Sequence, residues 1–223
     1  MKTNNTMKST IAFLFVFCLV SSSAFANNEI PGAPQTKPIA IVGGKVFTVS
    51  HGIIENGTVV FDKGKITAVG ANVEIPKDAK VIDAKGKYVY PGMIAPNTTL
   101  GISEIDAVRA TQDVTEVGLI NPDVRGDIGY NPDSEIPPTI RTNGITTAEI
   151  APQGGFISGT SSLMNLDGWT REDMDVKSVG GVHVYWPAMT ISHGWWITQS
   201  DEEQKKDIEK NLDTLFKAFR NAK

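Results

Sequence analysis

The sequence predicts an α/β protein, with a small β-domain in front, a strand-and-helix region behind it, and an export segment before both. Three observations predict this. Ile39 to Asp83 alternates short β-prone runs with glycine turns. At Tyr88 to Ile94 a Pro-Gly step ends that pattern and feeds an apolar strand. From Ser200 onward, apolar residues recur at helical spacing behind a capping box.

Residues 1–26 carry the three zones of a signal peptide. Lys2 and Lys8 give a positive start, Ile11 to Val20 is an unbroken apolar run, and Ser21-Ser22-Ser23 leads into Ala24-Phe25-Ala26. The apolar run is about half of the ~20 residues that span a bilayer, so a cleaved leader is expected rather than a membrane anchor. Cleavage after Ala26 would start the mature chain at Asn27 and place it in the periplasm or outside the cell. Cys18 is the only cysteine, and it lies inside this run after Phe17, which is too bulky for a lipoprotein site. The mature chain would therefore carry no disulfide and no thiolate.

Taking Lys2 and Lys8 from the 21 basic residues leaves 19 against 25 acidic ones, a net charge near −6. With no basic run or stripe, nucleic acid is not an expected partner. Residues 27–37 hold Pro31, Gly32 and Pro34 and read as a flexible leader. Residues 38–90 form the small β-domain, with strands expected at Ile39–Val42, Lys45–Val49, Thr58–Phe61, Lys65–Val69 and Lys80–Ile82. Asp62-Lys63-Gly64 is the expected hairpin turn. These strands are too few for a sandwich by themselves and suit a layer completed from elsewhere.

Residues 91–223 are more varied. Asn121-Pro122-Asp123 and Asn131-Pro132-Asp133 read as turns, and Gly144-Ile145-Thr146-Thr147-Ala148 reads as a strand. Gln153 to Gly168 reads as a tight glycine- and serine-rich loop, and Gly181 to Trp186 as a further strand. In the last helix Ser200 is the N-cap, Glu203 completes the box, and Ile208, Leu212, Leu215, Phe216 and Phe219 form a core-packing stripe.

Candidate chemistry is thin. His51, His183 and His193 are the only histidines. His51 is expected on a surface loop, while His183 and His193 are alternatives for a ligand or general base without HxH or HxxxH spacing. Glu104, Asp106, Asp113, Glu116, Asp123, Asp127, Asp133 and Glu135 are read as solvated loop acids, not spaced as a calcium loop. Gly154-Gly155 and Ser158-Gly159-Thr160-Ser161 lack the lysine of a phosphate loop. Trp169, Trp186, Trp195 and Trp196 are expected as partly buried packing, with a ligand cleft as the alternative.

The order of Asp62-Lys63-Gly64-Lys65-Ile66, Val81-Ile82-Asp83-Ala84-Lys85-Gly86, Pro91-Gly92-Met93-Ile94 and Gly144-Ile145-Thr146-Thr147 resembles the metal-dependent amidohydrolase superfamily, most closely its imidazolonepropionase-like members. The resemblance implies a β-sandwich-type domain followed by a (β/α)8 TIM-like barrel, and hydrolysis of carbon–nitrogen bonds, commonly in cyclic amides. It also implies zinc or another divalent metal, held first by Asp-x-His-x-His after Pro-Gly-x-Ile. Alternate residues of a strand face one side, so both imidazoles would reach one ion.

Here the matching positions are Ala95, Asn97 and Thr99, none of them a good zinc ligand, though the strand register is expected to survive. No metal or cofactor is therefore predicted for this chain. A barrel of this type takes about 250 residues, and Pro91 to Lys223 supplies 133. The expected fold is an incomplete barrel, with a second chain segment or self-association completing it. The expected function is that of an exported amidohydrolase-like hydrolase, impaired or incomplete; the alternative is a binding or scaffold protein that keeps the fold and takes a small-molecule ligand.

Overall fold

The computed structural model describes residues 30–223. The signal peptide, Cys18 and the cleavage point before Asn27 lie outside the described residues.

Strand β1 (Ile39–Phe47) runs through both of the first two expected strands, because Gly43 and Gly44 shift the register without ending the pairing. It pairs antiparallel with β2 (Ile53–Asp62), which pairs antiparallel with β3 (Lys65–Gly70). The β2–β3 turn has Lys63 at φ 49° and Gly64 at φ 72°. Two successive positive φ values match the right-handed strand twist, and the glycine takes its value without a Cβ clash.

The rest of this region is not a meander. Strands β4 (Lys80–Asp83) and β5 (Tyr88–Val89) both run parallel to β1, giving the order β3-β2-β1-β4 with β5 also on β1. The five strands make one sheet, the single layer expected of strands too few for a sandwich by themselves. One of its faces opens as a groove of about 560 Å³, lined by Ile41, Val59, Phe61, Ile66, Val69 and Tyr90.

Behind Pro91-Gly92, strand β6 (Met93–Thr98) runs parallel to β7 (Ile145–Ile150), with helix α1 (Ile136–Thr142) between them. The second half of Gln153 to Gly168 is no loop. It holds β8 (Ile157–Thr160) and β9 (Ser162–Asn165), and β9 pairs antiparallel with β7. After the short helix α2 (Arg171–Met174), strand β10 (Asp175–Lys177) pairs antiparallel with β9. Strand β11 (Val182–Val184) pairs with β8 as a separate two-stranded sheet. Among the described residues, only β6-α1-β7 has the parallel order that a (β/α)8 wall requires. Beyond β7, the connection to β9 carries no helix, and without a helical crossover the chain returns antiparallel.

The core lies on this second sheet, where Ile102, Tyr130, Ala148, Ile150, Met164, Leu166 and Met174 are buried together. The last helix, α3 (Asp201–Asn221), starts as expected. The Ser200 hydroxyl accepts the Glu203 N–H at 3.3 Å, and Glu203 Oε2 accepts the Ser200 N–H at 2.8 Å. Its stripe, however, is only partly core. Leu215 is buried, while Phe216 and Phe219 stay exposed, with Phe216 meeting the ring edge of Trp186. The four tryptophans, expected to be partly buried, are exposed, Trp195 most of all at 94%. No helix among the described residues is long and apolar enough to cross a membrane.

Candidate functional site

In parallel βα units the loops gather at the C-terminal ends of the strands, and sites are built there. The expected metal-motif positions fall at that end of β6, but the strand does not keep its register. Ala95 pairs with Ala148 and Thr98 with Ile150, so three steps on β6 face two on β7. One extra residue is a β-bulge, and it breaks the alternation that would point positions 95, 97 and 99 the same way. Asn97 sits in the bulge at φ 48°, a left-handed conformation that asparagine tolerates better than most residues. The expectation that the register survives is thus corrected.

The bulge turns the Asn97 backbone N–H toward a side chain absent from the sequence-based candidates. Glu149 on β7 accepts that N–H through Oε2 at 3.3 Å. Its Oε1 accepts the Ser161 hydroxyl at 2.7 Å and lies 3.6 Å from His183 Nε2. Ser161 in turn accepts the Gly181 N–H at 3.1 Å. One carboxylate therefore ties together the end of β6, strand β7, the β8–β9 junction and the segment leading into β11. The Ser161 hydroxyl holds the Glu149 carboxyl below the usual carboxylate range against partial burial, helped by the Asn97 N–H and His183. The Glu149 and His183 side chains are 32% and 19% exposed, so both remain reachable from solvent.

The long connection from β6 to α1 crosses the same strand ends. Arg125 bridges to Thr160, and Gly126 is so close to β7 that a Cβ there would sit 2.3 Å from the Ile150 carbonyl oxygen. Asp127, read from sequence as a solvated acid, is only 3% exposed. It takes a two-pronged contact from Arg125, Nε to Oδ1 at 3.0 Å and Nη2 to Oδ2 at 2.5 Å, and its N–H donates to the Ser162 hydroxyl at 3.0 Å. Burial pushes the Asp127 carboxyl up, but Arg125 and the Ser162 hydroxyl outweigh it and leave it below its ordinary value. Under this connection lies a cavity of about 200 Å³, bordered by Asp113, Glu116, Asp123, Arg125 and Pro152.

The remaining candidates scatter. His51 is exposed as expected and contacts Ser50. His193 pairs with Asp201 at 3.0 Å at the start of α3, so it shares no partner with His183. Ser158, Thr160 and Ser161 are buried strand or junction residues, not an open anion loop. Among the described residues, no three His, Asp or Glu side chains converge on a point that could hold an ion. The donor set at the end of β6 does not fit the metal that the resemblance implies, since Ala95, Asn97 and Thr99 stand there and Glu149 already has donors on both oxygens.

No protein-family model matches the chain. An imidazolonepropionase of Brevibacillus brevis is 26% identical over 185 residues, covering 77% of this chain and 36% of the relative. An imidazolonepropionase of Geobacillus kaustophilus is 50% identical over 56 residues, covering 22% of this chain and 13% of the relative. A dihydroorotase of Anaeromyxobacter dehalogenans is 41% identical over 54 residues, covering 24% of this chain and 12% of the relative. Among solved structures, an amidohydrolase from Thermotoga maritima superposes with a TM-score of 0.62 at 24% identity, over 67% of this chain and 39% of that one. The chain thus spans well under half the length of these relatives. Its fold is an amidohydrolase fold in part. Over the matched part, the chain is similar to members of the amidohydrolase superfamily.

Proposed function

We propose that this chain is an exported hydrolase of the amidohydrolase type, acting on a carbon–nitrogen bond other than a peptide bond, as the names of its relatives suggest for a cyclic amide. The observation that supports it is superfamily sequence reaching across β6 and β7, with a hydrogen-bonded acidic site at the strand ends where such folds do their chemistry. The β6-α1-β7 unit is the start of an incomplete barrel in this reading. The open groove of the first sheet and the exposed face of α3 are surfaces for a further chain segment or a second copy.

A second reading rests on the donor set at Ala95, Asn97 and Thr99. A strand end without imidazoles cannot generate the metal-bound hydroxide that hydrolysis in this family relies on. The chain would then be a binding or scaffold protein that keeps the fold and takes a small molecule. One experiment separates the two. The purified chain is assayed against dihydroorotate, hydantoin and imidazolonepropionate, with and without added zinc or manganese, by ring-opening absorbance. Turnover abolished in Glu149→Gln supports the hydrolase. Saturable binding of one of these rings without turnover supports the binding protein.

A further inference from the structure

We propose that the Glu149 carboxylate, with Asn97, Ser161 and His183, forms a metal-independent site that replaces an ion as the tie between the strand ends of β6, β7, β8–β9 and β11. The inference rests on the superfamily reading for the comparison with a metal site, but its evidence is local. An ion at strand ends holds several elements together by drawing oxygen and nitrogen donors to one positive centre. This chain reverses the charge. A single negative centre, Glu149, draws a backbone N–H from β6, a hydroxyl from the β8–β9 junction and an imidazole from β11. Asn97 and Ser161 present hydrogens to that carboxylate, and only Glu149 and His183, 3.6 Å apart, are of the types that ligate an ion.

Three features make this arrangement more than an incidental contact. The β6 bulge is what presents the Asn97 N–H, since a regular strand would direct that N–H along its ladder. Ser161 is fully buried, and its hydroxyl donates to Glu149 at 2.7 Å in preference to the Gly181 carbonyl at 3.4 Å. Having donated there, it accepts the Gly181 N–H, which carries the tie onward toward β11. The network also links two sheets, since β6, β7 and β9 belong to one and β8 and β11 to another, and Glu149 on the first faces His183 on the second. The bulge also means that replacing Asn97 and Thr99 by histidine would not put two imidazoles on one side of β6.

The test uses the whole chain. It is incubated with zinc chloride alone, desalted and measured by elemental analysis, while amide hydrogen exchange is read at Asn97 and Gly181. The expected result is well under one zinc per chain and exchange protection at both amides that zinc and chelator leave unchanged. Glu149→Ala should speed exchange at Asn97 and at Gly181 by about tenfold, and Ser161→Ala should speed it at Gly181 more than at Asn97, as each loses its direct acceptor. Stoichiometric zinc that disappears in Glu149→Ala or His183→Ala would overturn the inference, as would unchanged Asn97 protection in Glu149→Ala. Exchange in the unsubstituted protein keeps the test decisive if a variant fails to fold, because fast exchange at Asn97 there already refutes the tie. None of these readouts depends on turnover, so an absence of hydrolysis counts against the proposed function and not against this site.

Discussion

Removing the Asp127 carboxylate should be among the most costly single changes in this chain. Its side chain is 5% exposed and takes both prongs of Arg125, while the Arg125 side chain is 40% exposed. Breaking a buried ion pair by deleting one partner costs about 3–5 kcal/mol, chiefly because the other charge is stranded. Arg125 can turn to water, which places Asp127→Ala near the lower end, about 3 kcal/mol. Asp127→Asn keeps the shape and an acceptor for Ser162, and should cost about 2 kcal/mol, the worth of the lost charge-assisted bonds. Urea unfolding followed by tryptophan fluorescence checks both. With a slope of about 2 kcal/mol/M, the Ala variant should lower the midpoint by about 1.5 M with the slope unchanged. The pH dependence has a definite sign. The folded-state carboxyl lies below its ordinary value, so its stabilisation is full above the unfolded pKa and is lost as pH falls through the folded one. The Asn variant should therefore lose part of the acid-side fall in stability. A midpoint shift equivalent to less than about 0.5 kcal/mol would refute the reasoning and make the pair an ordinary surface contact.

Two further outcomes are expected. Gly126→Ala should destabilise by about 1–3 kcal/mol, since its Cβ would meet the Ile150 carbonyl and either the β6–α1 connection or β7 must shift; thermal unfolding checks it, and a neutral effect would show that the close approach is relaxed in solution. Terminal sequencing of protein recovered from the periplasm or medium should begin at Asn27, whereas an intact Met1 in the membrane fraction would overturn the export reading.

Much of the architecture was legible wherever a local signal decides it. The Lys63-Gly64 turn, the break at Pro91-Gly92, the strand after Gly144 and the Ser200–Glu203 box all depend on residues within a few positions of one another. What was hidden depends on partners far along the chain. Ser158 to Asn165 looks like loop because serine, glycine and threonine favour turns, yet pairing with β7 and β11 makes strands of it. The parallel placement of β4 and β5 on β1 has no short-range signature. The bulge at Asn97 exists only relative to β7, so no reading of alternation along β6 could reveal it. Glu149 escaped notice because its partners lie 52, 12 and 34 residues away in sequence. One signal was available, since it is the lone charge in the strand Ile-Thr-Thr-Ala-Glu-Ile and sits near the strand's C-terminal end. The exposed Phe216 and Phe219 show the converse limit, because a helical stripe says which face is apolar but not whether anything covers it.

The most direct test of the account is a crystal structure of the chain grown in zinc, with anomalous data collected at the zinc edge. The account predicts no anomalous peak at the ends of β6 and β7, and Glu149 still accepting the Asn97 N–H and the Ser161 hydroxyl. A zinc peak bound by Glu149 and His183, with Asn97 released from the carboxylate, would contradict it.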